Sequence, residues 1–497
     1  MEKVEWKLIA ARDPKLLRNF LKRRTFLKPL PVSPEKRTPP AGVEPRPRPP
    51  SGLERGAWLK VKLRGQWMPP EKGGQPAPPA AAARPPPGKG RAAAVAVLHP
   101  DLGLGGAERL VVDEAAELAA RGLRVVVYTA YHDPRRAFAE TVGGAGGFEV
   151  RVRGGWFPRS VCGRCVALCA YVRGLLLALA IAWDSRWGGE HYGVVLVDQV
   201  AAANVALRVL AGGAHVCFYC HFPDLLLSPR GGWLKAAYRW PLDRLEEFAT
   251  GLSHSLFVNS RYTLGVFHAT FRALSDRGVA PAVLHPAVRL PPAGDLEPVR
   301  DDARPVFLSI NRFERKKGIG LAVEALGEVH RALKGRGRAR LPRLVLAGGY
   351  DERLPENVEH LQELQRLAAE RGLAKCVDFA PSFSDARRAE LLAECWGVLY
   401  TPQNEHFGIV PLEAMAARRP VVACNSGGPT ESVADGRTGF LCDPTPAAFA
   451  DAMLKLLQPG VADALGLQAR RHVEERFSRR AFGAKVYSHV MRAMDAE

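Results

Sequence analysis

Short apolar runs rich in Val, Ile and Leu alternate with amphipathic stretches from about residue 92 onward. Such runs predict β-strands, and the stretches between them predict helices. The first series of predicted strands comprises 94–98, 125–128, 194–197, 216–219, 256–259 and 283–285. Because helices such as 107–120 and 234–248 separate these strands, the pattern predicts a parallel sheet covered on both faces. Residues 92–288 are therefore predicted to form a first Rossmann-like domain.

A second series follows the Pro-, Asp- and Gly-rich segment 289–304, a composition typical of a linker. Its predicted strands are 306–310, 344–347, 377–379, 398–400 and 421–423. With the helices between them, residues 305–497 are predicted to form a second domain of the same kind. The expected fold class is α/β, with two doubly wound domains facing each other across a cleft. Ligands of such sheets bind beyond the carboxyl ends of the strands, so the cleft is the expected site.

The first 91 residues have a different composition. They contain 21 Lys and Arg against 7 Asp and Glu, which is +14 of the chain's net charge of +19, and 18 of its 40 Pro. Such a segment buries too little apolar surface to offset the entropy of ordering, so residues 1–91 are predicted to be a disordered, basic, Pro-rich extension. Because the basic excess lies there and not on a folded face, no nucleic-acid partner is expected.

Nine cysteines are scattered through apolar runs without the spacing of a disulfide framework, which favours a reducing compartment. Cys217 and Cys220 have the spacing of a metal or redox pair, but they lie in a strand-like run and no second pair follows at the spacing of a zinc site. The N-terminus lacks the charged and apolar regions of a cleaved signal, so the folded part is expected to face the cytosol.

The stretch 165–183 is strongly apolar, and Arg173 is its only charged residue. Its length suits a membrane span, but a central Arg inside an α/β domain argues against one. We favour a helix that lies on the membrane surface, with the Arg173 guanidinium reaching lipid phosphates. The alternative is a buried core helix.

Two carboxylates lie eight positions apart where a strand ending near Pro402 turns through a glycine loop into a helix. Glu405 is in the loop and Glu413 in the helix, and the free amides of 407–410 face the same space. Amides at a helix N-terminus bind phosphate groups. In the first strand-to-helix turn of the same domain, Arg312 and Lys317 supply positive charge that can neutralise a leaving diphosphate.

These motifs resemble glycosyltransferase family 4, whose members have the GT-B fold. The pair Glu405-x7-Glu413, the pair Arg312-x4-Lys317 and the glycine loop 103–106 carry the resemblance. Longer blocks resemble the eukaryotic branch that adds α-1,3 and α-1,6 mannose to dolichol-linked oligosaccharides. Those blocks are 99–109, 219–227, 309–312, 347–353 and 401–408. The resemblance covers about 92–497.

The resemblance implies roles for individual residues. Glu413 would hydrogen-bond the ribose hydroxyls and Glu405 the hydroxyls of the transferred sugar. The implied catalytic residues are His221, Arg312, Lys317 and Glu405. The implied donor-binding residues are Arg312, Lys317, Glu405, Phe407, Gly408, Ile409 and Glu413. The implied acceptor and diphosphate loop comprises Gly105, Gly106 and His221.

Several of these residues also have ordinary structural interpretations. The glycine loop alone could be a mere turn, and His221 alone could be a structural histidine with its hydrogen bonds satisfied. The segment 426–431 has two equally supported interpretations, namely the start of a helix or a contact to the nucleotide. The paired glutamates with Arg312 and Lys317 are the most specific signal.

The implied reaction is retaining transfer of mannose from GDP-mannose to a diphosphodolichol-linked trisaccharide of one mannose on two N-acetylglucosamines, without a metal or other cofactor. The implied partners are the lipid-linked oligosaccharide acceptor, the cytosolic face of the endoplasmic reticulum membrane and other mannosyltransferases of that face. One alternative is a family 4 enzyme with another donor or acceptor. The other is a non-catalytic scaffold that binds glycolipid. Whether one site makes both linkages stays open.

Overall fold

The computed structural model describes residues 94–161, 163–227, 231–299, 304–335 and 341–495. They all belong to one compact unit, Arg84–Glu497. The predicted disordered extension, 1–91, lies outside the described residues.

The first domain is built on a sheet of seven parallel strands in the order β3-β2-β1-β4-β5-β6-β7. Strands β1 to β7 are Ala94–His99, Arg124–Thr129, Glu149–Val152, Tyr192–Asp198, His215–Cys220, Ser255–Val258 and Ala282–Val283. Helices α1 to α7 are Gly106–Ala120, Val166–Arg186, Ala203–Leu210, Asp224–Leu227, Gly232–Thr250, Arg261–Thr270 and Arg272–Asp276. The six predicted strands are all present. The pattern missed β3, an edge strand in which charged residues alternate with Val and no position is fully buried.

The second domain has six parallel strands in the order β10-β9-β8-β11-β12-β13. Strands β8 to β13 are Val306–Ile310, Arg343–Gly348, Val377–Pro381, Gly397–Tyr400, Val421–Cys424 and Gly439–Cys442. Helices α8 to α15 are Gly320–Lys334, Pro355–Glu370, Asp385–Glu394, Ile409–Ala416, Pro429–Ser432, Pro446–Leu456, Val461–Arg476 and Arg479–Asp495. The five predicted strands are again present, and the pattern missed β13. The strand order reverses between β1 and β4 in one sheet and between β8 and β11 in the other, and these switch points place the ligand sites of such folds.

Each face of the first sheet carries its own hydrophobic core. Leu98, Val216 and Phe218 belong to one core, and Val97 and Tyr219 belong to the other. Side chains of a strand alternate between faces, so Cys217 and Cys220 point into different cores. One metal ion therefore cannot be held by this pair.

The last helix, α15, returns to the first domain. Its buried residues Phe482, Val486 and Val490 join the core formed by α1 and one face of the first sheet. The chain leaves the first domain at about residue 288 and returns to it at about residue 478. These two connections lie side by side, since the amide of Val288 donates to the carbonyl of Phe477 at 2.9 Å. The second domain thus ends at about residue 478, and two adjacent chain crossings join the domains.

Helix α2 packs one side on the first sheet and leaves the other side exposed. Leu177, Ala178 and Ile181 belong to the core, and the guanidinium of Arg173 donates to Asp101 at 2.6 and 3.0 Å. The expectation that Arg173 reaches lipid phosphates is wrong, because this side chain is buried and its charge is paired inside the protein. Among the described residues, one helix, α2, is long enough and apolar enough to cross a membrane. In this helix 44% of the most apolar stretch is buried inside the protein.

Candidate active site

Two loops of the second domain meet at the switch point between β8 and β11. The loop after β8 contains Lys317, and the loop after β11 contains Glu405. The Nζ atom of Lys317 lies 2.5 Å from Oε2 of Glu405. The hydroxyl of Thr401 donates to the carbonyl of Lys317 at 2.8 Å. The structure therefore brings these two predicted catalytic residues into one ion pair, with both side chains mostly buried.

Gly408 makes the sharp turn that begins helix α11. Its φ angle is +80°, in the region that favours glycine. An added Cβ would lie 2.9 Å from the hydroxyl of Tyr400, so a larger residue would also be crowded. Helix α11 starts at Ile409, and the amides of its first turn have no partner within the helix.

Phe407 itself is buried, its ring 5.7 Å from that of His285. Its predicted contribution is thus confined to its backbone.

Glu413 lies one turn into α11 and faces Arg388 of α10, whose guanidinium donates to it at 3.1 Å. Burial raises the pKa of Glu413, and the charge of Arg388 offsets part of that rise. A buried carboxylate with one cationic partner keeps lone pairs that can accept from hydroxyl groups. Sequence analysis missed Arg388, because an Arg on an amphipathic helix carries no signal of its own.

Arg312 is placed differently. Its side chain is 61% exposed and its guanidinium lies 2.6 Å from Oε1 of Glu314. It does not share the ion pair of Lys317 and Glu405. Its contact with a diphosphate remains a prediction.

The glycine loop of the first domain follows β1 and leads into α1. Gly105 is extended, and an added Cβ would lie 2.1 Å from a carboxylate oxygen of Glu108. The carboxylate thus folds over the loop, and a side chain at position 105 would require the Glu108 carboxylate to move aside. No atom lies within 4 Å of a Cβ built on Gly106, so a ligand can approach the backbone there.

His221 follows β5, on the opposite wall of the cleft from Glu405. Its Nε2 atom lies 2.7 Å from Oδ1 of Asp198. Burial alone would lower the pKa of His221, but the charge and hydrogen bond of Asp198 outweigh burial and raise it. His221 is therefore a polarised group with a charged partner, and its catalytic role stays a prediction.

The two walls touch next to these residues. The ring of Phe222 stacks on that of His406, with centroids 3.7 Å apart and planes at 11°. The hydroxyl of Ser260 donates to the carbonyl of His406 at 2.5 Å. Since His406 adjoins Glu405 and Phe222 adjoins His221, the contact sets the two predicted catalytic positions side by side.

Family models match both halves of this arrangement. A model described as Glycosyltransferase Family 4 matches residues 104–277, and one described as Glycosyl transferases group 1 matches residues 297–472. The α-1,3/1,6-mannosyltransferase ALG2 of Homo sapiens is 45% identical over 410 residues, which is 81% of this chain and 96% of that protein. Its namesake in Dictyostelium discoideum is 41% identical over 418 residues, covering 80% and 97%. This chain belongs to the ALG2 family.

Solved structures agree with the fold. Sucrose-phosphate synthase from Thermosynechococcus elongatus superposes with a TM-score of 0.61 at 20% identity, covering 82% of this chain and all of that one. A crystal structure of Anabaena HepE with UDP and glucose gives 0.55 at 18% identity, covering 81% and 99%. At such identities the likeness shows the fold alone. These structures confirm the predicted GT-B fold, and the family models and relatives above confirm family 4 membership.

In this member of the ALG2 family the segment 426–431 supports the loop that contains Glu405. Ser426 accepts from the amide of Asn404 at 3.1 Å, and the amide of Gly428 donates to the carbonyl of Glu405 at 2.8 Å. The carboxylate of Glu431 reaches the first domain, where it lies 3.1 Å from the amide of Tyr262 and 2.9 Å from Nε2 of His285. The segment therefore begins a helix and joins the domains, and the carboxylate of Glu431 is engaged by the first domain.

Among the described residues, no group of three or more His, Cys, Asp or Glu side chains is arranged to hold a metal ion. The positive groups that the structure does place at the cleft are Lys317, Arg388 and the amides that begin α11.

Proposed function

We propose that this protein is a retaining mannosyltransferase. It transfers mannose from GDP-mannose to a diphosphodolichol-linked trisaccharide and makes one α-1,3 and one α-1,6 linkage. The ion pair of Lys317 and Glu405 at the start of α11, facing His221 across the closed cleft, carries the proposal. Family membership supports the choice of sugar, and the longer sequence blocks support the choice of donor and acceptor.

The charges suit a nucleotide-diphosphate donor. A diphosphate set beside the first turn of α11 accepts from free amides, and Lys317 neutralises the charge that grows as it leaves. Glu405, held by Lys317, accepts from hydroxyls of the mannose. Glu413 accepts from the ribose hydroxyls, with Arg388 keeping it charged.

Transfer proceeds on one face of the sugar. The bond between the anomeric carbon and the diphosphate oxygen breaks as the acceptor oxygen forms its bond to the same carbon. The proton of the acceptor hydroxyl passes to the departing diphosphate, so no protein carboxylate has to become covalently attached. Lys317 and the α11 amides offset the charge of the leaving group, and the exposed Arg312 of the same loop as Lys317 turns to the diphosphate when the donor binds, so the reaction runs without a metal. Full activity in EDTA is the expected result, and activity that returns only on adding Mg²⁺ or Mn²⁺ would contradict it.

The donor and acceptor are tested together. Purified full-length protein is incubated with a synthetic phytanyl-diphosphate trisaccharide and, in parallel, with GDP-mannose, GDP-fucose, UDP-glucose and UDP-N-acetylglucosamine. Mass spectrometry should show gains of one and two hexoses with GDP-mannose alone, and linkage-specific α-mannosidases should remove both. Transfer from a UDP-sugar without transfer from GDP-mannose would overturn the proposal.

The acceptor places the enzyme on the cytosolic face of the endoplasmic reticulum membrane. The amide of Leu168 in α2 donates to the Tyr238 hydroxyl of α5 at 3.1 Å, so these two helices of the first domain are neighbours. Both helices carry exposed apolar side chains. We define this lipid-facing surface by its exposed side chains, which are Val166, Leu168, Leu179, Trp183, Trp233, Leu234, Trp240 and Phe248. Exposed Lys235 and Arg244 lie among them on α5 and suit anionic lipid.

A triple variant tests this surface. Trp233→Asp, Leu234→Asp and Trp240→Asp together should release the protein from vesicles of phosphatidylcholine and phosphatidylinositol in a flotation assay, while GDP binding is kept. The matched control is Leu354→Asp with Leu467→Asp, two exposed leucines of the second domain, and it should float as the natural protein does. Retention of the triple variant on vesicles would show that the surface is not the anchor.

A further inference from the structure

A buried carboxylate lies between two histidines on the first-domain wall. Asp198 ends β4, His99 ends β1 and His221 follows β5, so three adjacent parallel strands deliver the three side chains to one edge of the sheet. Asp198 accepts from His221 through Oδ1 at 2.7 Å and pairs with Nδ1 of His99 through Oδ2 at 2.8 Å. His99 is 1% exposed and Asp198 is 2% exposed. Both oxygens of the carboxylate are thus taken up by rings that cannot easily move.

Asp198 is the ionised carboxylate of this cluster. Burial would raise the pKa of Asp198, but the two histidines outweigh burial and hold it at about 2. Glu114 of α1 is also buried nearby, and burial together with the charge of Asp198 raises its pKa to about 8. Glu114 is therefore mostly protonated at neutral pH, and Asp198 is the carboxylate that carries charge.

His221 faces other groups besides Asp198. Glu108 of the glycine loop also raises its pKa, and the ring of Tyr219 lies 4.8 Å away. His406 of the opposite wall is near enough to interact electrostatically, but burial lowers the pKa of His406 and keeps it neutral. Of these two histidines, His221 is thus the one that gains a proton more readily.

We propose that Asp198, fixed by His99, is a positioning residue that holds His221 protonated and in one orientation. This rests on the proposed function. With Nε2–H given to Asp198, Nδ1–H is the donor left for an oxygen of the transferring sugar or of the leaving diphosphate. The imidazolium and the carboxylate sum to zero charge. The pair therefore offers a directed hydrogen bond without placing net positive charge beside the anomeric carbon, where positive charge develops.

The test compares Asp198→Asn with a matched control, Glu114→Gln. Asn keeps the size of Asp198 but removes its charge, whereas Gln replaces a side chain that is already mostly neutral and equally buried. Two readouts are taken on full-length protein. One is the pKa of His221, followed by NMR of the imidazole C–H group and assigned by its loss in His221→Asn. The other is the pH profile of kcat for mannose transfer.

Asp198→Asn should lower the pKa of His221 and move the alkaline limb of the kcat profile to lower pH by the same interval. The sign follows from the active form: His221 works protonated, and activity is lost as pH rises through its pKa. At neutral pH kcat should fall roughly 10–100-fold, the range typical for removing the hydrogen-bond partner that orients a metal-bound histidine. The donor KM should change less than about threefold, and Glu114→Gln should match the natural protein.

His99→Gln keeps an N–H group beside Asp198 and should give a smaller shift of the same sign. An unchanged His221 pKa in Asp198→Asn would overturn the proposal, and so would an equal loss of kcat at every pH. The NMR titration needs no turnover, so it separates this proposal from the proposed function: a chain that transfers no mannose but shows the shift refutes only the latter.

Discussion

In the second domain, the functional residues of the cleft wall lie in two loops and belong to short sequence motifs. In the first domain, the functional residues of the cleft wall come from the ends of three separate strands. Lys317 lies in the segment after β8, and Glu405 and Glu413 are separated by seven residues. His99, Asp198 and His221 are spread over more than a hundred positions and meet only because β1, β4 and β5 are neighbours. A local motif can be detected by its spacing. A site assembled by topology becomes visible only when the strand order is known.

The two walls should also differ in what they supply, since one binds and neutralises the donor and the other directs the transfer. Removing the cation of the second wall is the most damaging single change expected. Lys317→Ala takes away stabilisation of the leaving group and leaves Glu405 without its partner, so kcat should fall roughly 10²–10³-fold. Steady-state transfer assays measure it. Lys316→Ala is the control, because the Lys316 side chain is 61% exposed and pairs with Glu314 and not with Glu405. Equal losses of kcat in both variants would place the catalytic cation elsewhere.

Loss of the second glutamate should act on binding more than on turnover. Glu413→Gln removes a charged acceptor worth about 1.5–3 kcal/mol, so the Kd for GDP should rise roughly 10–100-fold in calorimetric titration. Because burial raises the pKa of Glu413, GDP affinity of the natural protein should begin to fall on acidification at a higher pH than a free Glu would give. This pH dependence should vanish in the variant. Glu390→Gln, on the exposed side of α10, should leave both quantities unchanged.

Breaking the contact between the walls should have an intermediate effect. Glu431→Gln loses the ionic part of its contacts with His285 and the Tyr262 amide, which hold the domains together. We expect a loss of about 1 kcal/mol in domain closure, seen as a roughly fivefold rise in KM for both donor and acceptor with little change in kcat. The exposed Glu475→Gln provides the comparison. A variant that changes the KM of the donor alone would indicate that Glu431 binds the nucleotide after all.

The smallest effect is expected from the N-terminal extension. Every predicted site residue lies after Ala94, and a Pro-rich basic composition is not expected to form a folded surface. A chain beginning at Arg91 should keep kcat and both KM values within about twofold of the full chain. A truncated chain that is folded by circular dichroism but inactive would show that the extension completes one of the walls.

Sequence patterns predicted the fold well where strands are buried on both faces, because continuous Val and Leu runs leave few alternatives. They failed at β3, whose charged residues follow its edge position, and at α15, since an amphipathic pattern does not say which domain its apolar side joins. Arg173 was misjudged for a related reason. Its partner, Asp101, lies 72 positions away, so the sequence shows an unpaired charge where the fold has a paired one.

Prediction of the site was limited in the same way, because local motifs were recognised and contacts between distant elements were not. Glu405 and Lys317 were each predicted as functional residues, and the structure places them in contact. Arg388, His99 and Asp198 were missed, because each contributes a single ordinary side chain from a distant element. Glu108 was seen only as part of a glycine motif, although its carboxylate covers the loop.

The return of α15 to the first domain has a consequence for biosynthesis. Phe482, Val486 and Val490 complete a core whose other members begin at Val95, so the ribosome makes the two parts of that core at opposite ends of the folded region. Domains usually fold in order as they emerge. Here the second domain can close while the first still exposes an apolar groove along α1, and the first domain reaches its final packing only after the last residues have been added. Chaperones that shield apolar surface should therefore stay bound to nascent chains of this protein until translation ends.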